Sequence, residues 1–193
     1  SGSVCFYSSS RTDLVIDIAG WFSGSTFNGA TPQRLVDSRN GTGVTATGPV
    51  SPSSPIEISI AGINVTSSAG VSTVIPANLV AASLNVTAVN PSGSGFVTVW
   101  PCDASRPLSS NLNFTSGSVI ANGVIAPVSS DGRVCLFSST NSDIVVDIAG
   151  WFEGTEFRGA TPLRLTDTRD GTGGTMGRIS PSDELRISVA GAV

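Results

Sequence analysis

The chain has 193 residues, a formal net charge of −4 and no histidine, and all 10 of its basic residues are arginine. It therefore lacks the usual general base for a serine or cysteine nucleophile, the amine of a Schiff base and the lysine of a phosphate-binding P-loop. The acidic balance argues against a nucleic-acid partner, no apolar run reaches the ~20 residues of a membrane span, and three dispersed cysteines make a poor zinc site.

Only 12% of residues are charged, while Ser, Thr, Gly and Asn abound. That is the composition of an extracellular β-rich protein. Ser1-Gly2-Ser3-Val4 is not the charged start of a signal peptide, so an exported chain carries its signal upstream or has lost it.

In chain order, Val4 to Tyr7 and Asp13 to Ala19 read as a β-hairpin, with Leu14, Ile16 and Ile18 alternating on one face. Gly20-Trp21-Phe22 ends it with two large rings. Arg34 to Arg39 is a short strand closed by the turn signal Asn40-Gly41. A Gly/Thr/Ser/Pro stretch over 41–55 is loop, and Ile56 to Ala61 alternates again. Ala77 to Val89 holds a strand with Leu84 and Val86 inward and Asn85 and Thr87 outward. The turn Asn90-Pro91-Ser92-Gly93 leads into Phe96 to Trp100. Leu108 to Phe114 and Val119 to Val128 are further strands, and Leu185 to Val189 matches Ile56 to Ile60. No segment has a helical period.

One stretch is written twice. Residues 4–43 and 134–173 agree without a gap at about 25 of 40 positions, which marks an internal repeat. A period of about 130 residues with roughly eight short strands suits an antiparallel sandwich or jelly roll, so the expected fold is all-β, in tandem modules. On this reading 1–30 is the end of a preceding repeat, 31–160 one complete module, and 161–193 the start of a following one. The alternative is one pseudo-symmetric domain over 1–193, with 1–62 and 131–193 flanking a unique middle.

The cysteines bear on this choice. A Cys102–Cys135 bridge would close a loop of about 34 residues and contribute about 3–4 kcal/mol. Cys5 is the repeat equivalent of Cys135, so its partner falls upstream of this chain, or in another chain, and Cys5 is expected to be unpaired here.

The head Pro32-x-Arg34-Leu35-x-Asp37-Ser38-Arg39-x-Gly41-Thr42-Gly43 resembles the start of a repeat module of large secreted and cell-surface proteins of actinobacteria and relatives. Leu84-Asn85-Val86-Thr87 and Arg106-Pro107-x-Ser109-Ser110-Asn111-Leu112-Asn113-Phe114 resemble its middle, and Asp147-Ile148-x-Gly150-Trp151-Phe152 its end. The resemblance covers one unit, 31–160, and parts of its neighbours. It implies an extracellular module, tandem or appended, with no assigned catalytic residue.

Each candidate site has a functional and a structural interpretation. Asp37 and Arg39, with Asp167 and Arg169, could bind a sugar or carboxylate, or form a hydrogen-bonded network fixing a strand to a loop. Asp167 and Asp170 are a weak calcium candidate, with too few oxygens nearby for six to eight ligands. Asp17 and Asp147 could act as paired carboxylates only with a second acid close by; otherwise they accept hydrogen bonds from backbone or from Arg34 and Arg164. Trp21-Phe22 and Trp151-Phe152 could stack on a sugar, or serve as core or as a contact between modules. Asn-x-Ser/Thr triplets stand at Asn40, Asn64, Asn85 and Asn113, of which Asn40 and Asn64 suit glycosylation.

Taken together, the sequence leads us to expect a non-enzymatic extracellular structural repeat that builds a cell-surface fibre or filament. Its partners would be neighbouring repeats or identical subunits, with no cofactor, no nucleic acid and no membrane insertion. The seam would involve Trp21, Phe22, Arg34, Asp37, Arg39, Trp151, Phe152, Arg164, Asp167 and Arg169. The alternative is a carbohydrate-binding adhesion module.

Overall fold

Period-two alternation places Leu84, Val86 and Ala88 on one face of a strand and Ile144, Val146 and Ile148 on one face of its neighbour, and all six are buried. The computed structural model describes residues 3–191; Ser1, Gly2, Ala192 and Val193, within the expected flanking repeats, lie outside the described residues. There is no helix among the described residues.

One antiparallel sheet has the order β1 (Phe27–Asp37), β10 (Asp143–Phe152), β5 (Ala81–Val89) and β8 (Val119–Pro127). The second has the order β2 (Ile56–Ser59), β9 (Arg133–Ser138), β6 (Gly95–Pro101) and β7 (Leu112–Phe114). A separate hairpin joins β3 (Asn64–Thr66) to β4 (Ser72–Val74). The inner faces of the two sheets share a core in which Val36, Val86, Ile144 and Ile148 face residues such as Val97, Val134 and Leu136. Burial of each such side chain contributes about 1.5–3 kcal/mol. This is an all-β sandwich, as the alternation implied.

All ten strands fall between Phe27 and Phe152, so the described residues hold one module rather than modules in tandem. The first copy of the repeat supplies β1 and the second copy supplies β9 and β10. The stretch equivalent to β9 and β10 near the N-terminus forms no strand, and Val4, Tyr7, Val15, Ile18 and Trp21 are exposed. Leu185 to Val189 likewise forms no strand. Alternation alone cannot hold a strand, because the backbone groups need flanking partners and an isolated hairpin is marginal in water.

The expected hairpin is corrected by its folded copy. β9 pairs with β2 and β6, whereas β10 pairs with β1 and β5, so consecutive repeated strands cross from one sheet to the other. The strand expected from Leu108 begins only at Leu112, and Leu108 is exposed. β8 is an edge strand that leaves Val119, Ile120 and Ile125 exposed to solvent.

Candidate functional site

At the end of β1 the carboxylate of Asp37 is nearly saturated by arginine. Its Oδ1 accepts from the Arg39 backbone N–H at 3.2 Å and from Arg39 Nε at 2.8 Å. Its Oδ2 accepts from Arg39 Nη2 at 2.6 Å and Arg34 Nη1 at 3.0 Å. Arg34 then turns its Nε to Asp147 Oδ1 at 2.5 Å, tying the head of the module to β10. Arg34 and Asp147 are a cross-strand pair in the β1–β10 register, which explains why two residues 113 apart in sequence meet.

The turn below this knot is closed by the backbone. Asp37 N–H donates to the Thr42 carbonyl at 2.9 Å, and Gly41 N–H donates back to the Asp37 carbonyl at 3.1 Å. Asn40 Oδ1 accepts from Thr42 N–H at 3.0 Å, as turn chemistry requires. Gly43 has φ +65°, and a Cβ there would stand 1.9 Å from the Leu35 carbonyl oxygen. Only glycine fits. The hydrogen bonds and charge of Arg39 hold the Asp37 carboxyl down to about 2, against burial acting the other way.

The second copy builds the same knot with no strand beneath it. Asp167 accepts from Arg169 N–H at 3.0 Å, Arg169 Nε at 2.8 Å, Arg169 Nη2 at 2.5 Å and Arg164 Nη1 at 2.8 Å. Gly173 repeats the close approach, 1.9 Å from the Leu165 carbonyl oxygen. Arg169 holds the Asp167 carboxyl well below the usual carboxylate range. Arg164 does not reach an equivalent of Asp147; its Nη2 donates to the Leu108 carbonyl at 3.1 Å. Asp17, the repeat equivalent of Asp147, has no ion pair among the described residues.

This arrangement bears on the ligand candidates. Four N–H donors occupy the two oxygens of Asp167, and Asp170 Oδ1 accepts from Thr172 N–H at 2.9 Å. The calcium candidate thus has its carboxylate already committed to arginine. No group of three or more metal-ligating side chains is assembled among the described residues.

The two aromatic pairs have opposite fates. Trp151 is 4% exposed and belongs to the sandwich core, with its indole N–H donating to Glu153 Oε1 at 2.7 Å. Trp21 is 84% exposed. Trp151 and Phe152 are therefore both buried side chains of the folded sandwich. Phe22 nevertheless reaches the module, packing on Phe27 at 4.9 Å and on Phe152 at 5.4 Å between ring centroids. Asn28 Nδ2 donates to Glu153 and Thr26 Oγ1 donates to Glu156, so polar contacts fasten the same place.

On the outer face of the second sheet, Cys102 and Cys135 form the expected disulfide, with Cα atoms 5.0 Å apart. It staples the loop after β6 over Trp100 and Phe137, and Arg106 stacks on the Phe137 ring at 3.8 Å. Cys5 is free and exposed.

Several residues of this architecture escape sequence reasoning. Ser38 Oγ donates to Asp143 and accepts from Ile144 N–H, both at 3.0 Å, locking the knot to β10. Its place inside the repeated head was the available signal. Asn111 Oδ1 accepts from Val99 N–H at 2.7 Å. Glu153, Phe27 and Phe157, clustered where β10 ends beside the start of β1, carried no distinguishing pattern beyond repetition of the two phenylalanines. No protein-family model matches the chain, and no curated protein resembles it at a significant level.

Proposed function

We propose that the chain is a non-enzymatic structural module of an extracellular or cell-surface protein, assembling into a fibre or filament by packing of one β-module against the next. The observation that carries this reading is the duplicate left outside the sandwich. The residues of β10 recur as Asp13 to Phe22, differing only at Leu14 and Ile16, and there their apolar side chains face solvent. Such a surface calls for cover, and β1 and β5 of a module are what cover the same residues at 143–152.

Other features agree. Asp37 and Asp167 spend their carboxylates on holding turns rather than on an open site. The disulfide suits an oxidising compartment, and among the described residues no helix is long and apolar enough to cross a membrane. The carbohydrate reading loses its platform at Trp151, which is buried in the core.

The test pairs a glycan array with negative-stain images of a chain in which residues 31–160 are repeated in frame twice more. Regular rods without saturable glycan binding are expected. Saturable binding that is lost in Asp167→Ala or Trp21→Ala, with no rods, would contradict the proposal.

A further inference from the structure

The chain enters and leaves the sandwich at the same end. Phe27, which opens β1, and Phe152, which closes β10, are direct partners in the antiparallel register. The repeat equivalent of Phe27 is Phe157, so only residues 153–156 separate the last strand of one unit from the first strand position of the next. Five residue steps span at most ~18 Å, whereas a ten-residue strand is ~33 Å long. The link cannot carry the chain to the far end of the module.

We infer that successive units hang side by side from a common spine, the partner at each seam being a second copy of this module, rather than being strung end to end. This rests on the reading of the chain as a structural repeat and deepens it. The seam already shows its own periodicity. Phe22 and Phe27 pack across the incoming joint with ring centroids 4.9 Å apart, Phe27 and Phe152 within the module at 4.9 Å, and Phe152 and Phe157 across the outgoing joint at 4.7 Å. Phe22 and Phe152 are equivalent by repeat, as are Phe27 and Phe157. Each joint therefore shares a phenylalanine pair with the module on either side, and the ladder continues unchanged from unit to unit.

The outgoing segment independently points sideways. From Phe157 it crosses the end of the first sheet, where Gly159 lies so close to Pro127 that a Cβ would stand 2.9 Å from that ring. Arg164 then donates to the Leu108 carbonyl. This course passes β8, the edge strand that exposes Val119, Ile120 and Ile125. The next unit thus begins beside that edge, the place where an unpaired apolar strand needs cover.

Cryo-electron microscopy of the same three-unit chain tests this. The expected result is a fixed spacing between modules of about 20–25 Å, close to the ~19 Å width of a four-stranded sheet, with strands crossing the array axis steeply. A second variant inserts six Gly/Ser residues between Gly154 and Thr155 at each joint; it should lose the fixed spacing while each module melts as before. A fixed spacing of about 35 Å or more, with strands along the axis, would overturn the spine alone, as would a spacing unaffected by the insertion. Folded modules with no fixed spacing would overturn the assembly reading together with it.

Discussion

Asp13 to Phe22 and Asp143 to Phe152 are nearly the same peptide, yet one is exposed and strandless and the other is an interior strand of a sheet. The heads of the two copies behave differently. Residues 34–43 and 164–173 form the same arginine–carboxylate knot, although only the first is anchored to a sheet. The contrast separates two kinds of structural information. The knot closes within ten residues through hydrogen bonds to one carboxylate and a glycine that alone fits, so it forms in both copies, with or without a strand beneath it. A strand has no such local closure, and its alternating face becomes buried only when neighbours from distant parts of the chain are present.

Paired substitutions in the two copies should have unequal effects. Trp151→Ala removes a core side chain and should cost about 3–5 kcal/mol in urea unfolding, whereas Trp21→Ala should stay within about 0.5 kcal/mol of the parent. Equal effects would place both tryptophans in comparable surroundings. Breaking the bridge with Cys102→Ser and Cys135→Ser together should cost about 3–4 kcal/mol, and Cys5→Ser should leave the transition where it is.

The glycines of the two knots come next. Gly43→Ala drives a methyl group into the Leu35 carbonyl and should destabilise the module by about 1–3 kcal/mol. Gly173→Ala meets the same obstacle, but its knot lies outside the sandwich. The main unfolding transition should stay put while the NMR signals of Arg169 and Thr172 shift. The smallest effect is on acid stability. Asp37 titrates at about 2 in the folded protein against an ordinary 3.8, so its contribution is present above pH ~4 and fades as pH falls towards ~2. Asp37→Asn should flatten that part of the stability–pH curve. Asp167→Asn, whose carboxylate is hydrogen-bonded only to Arg164 and Arg169 outside the strands, should not.

Much of this was legible in the residues. Alternation in 81–89 and 143–152 announced buried strands, the spacing of Cys102 and Cys135 suggested their bridge, and Asp37 with Arg34 and Arg39 had the composition of a closed network. What alternation could not reveal was which copy of a repeated strand finds partners, since that depends on chain on both sides of it. For the same reason the apparent hairpin of the repeat dissolved: β9 and β10 are consecutive yet belong to opposite sheets. The short hairpin of β3 and β4 was hidden because three-residue strands carry almost no periodic signal.

Hydrogen exchange on the repeated strand separates a strand that lacks its partners from one that cannot form. In the 193-residue chain, the amides of residues 14–22 should exchange at rates near those of an unstructured peptide, while those of 144–152 are protected. When residues 27–132 are fused directly ahead of Ser3, supplying the missing neighbours, residues 14–22 should gain protection comparable to that of 144–152. Protection of 14–22 in the shorter chain, or its absence in the longer one, would contradict the account.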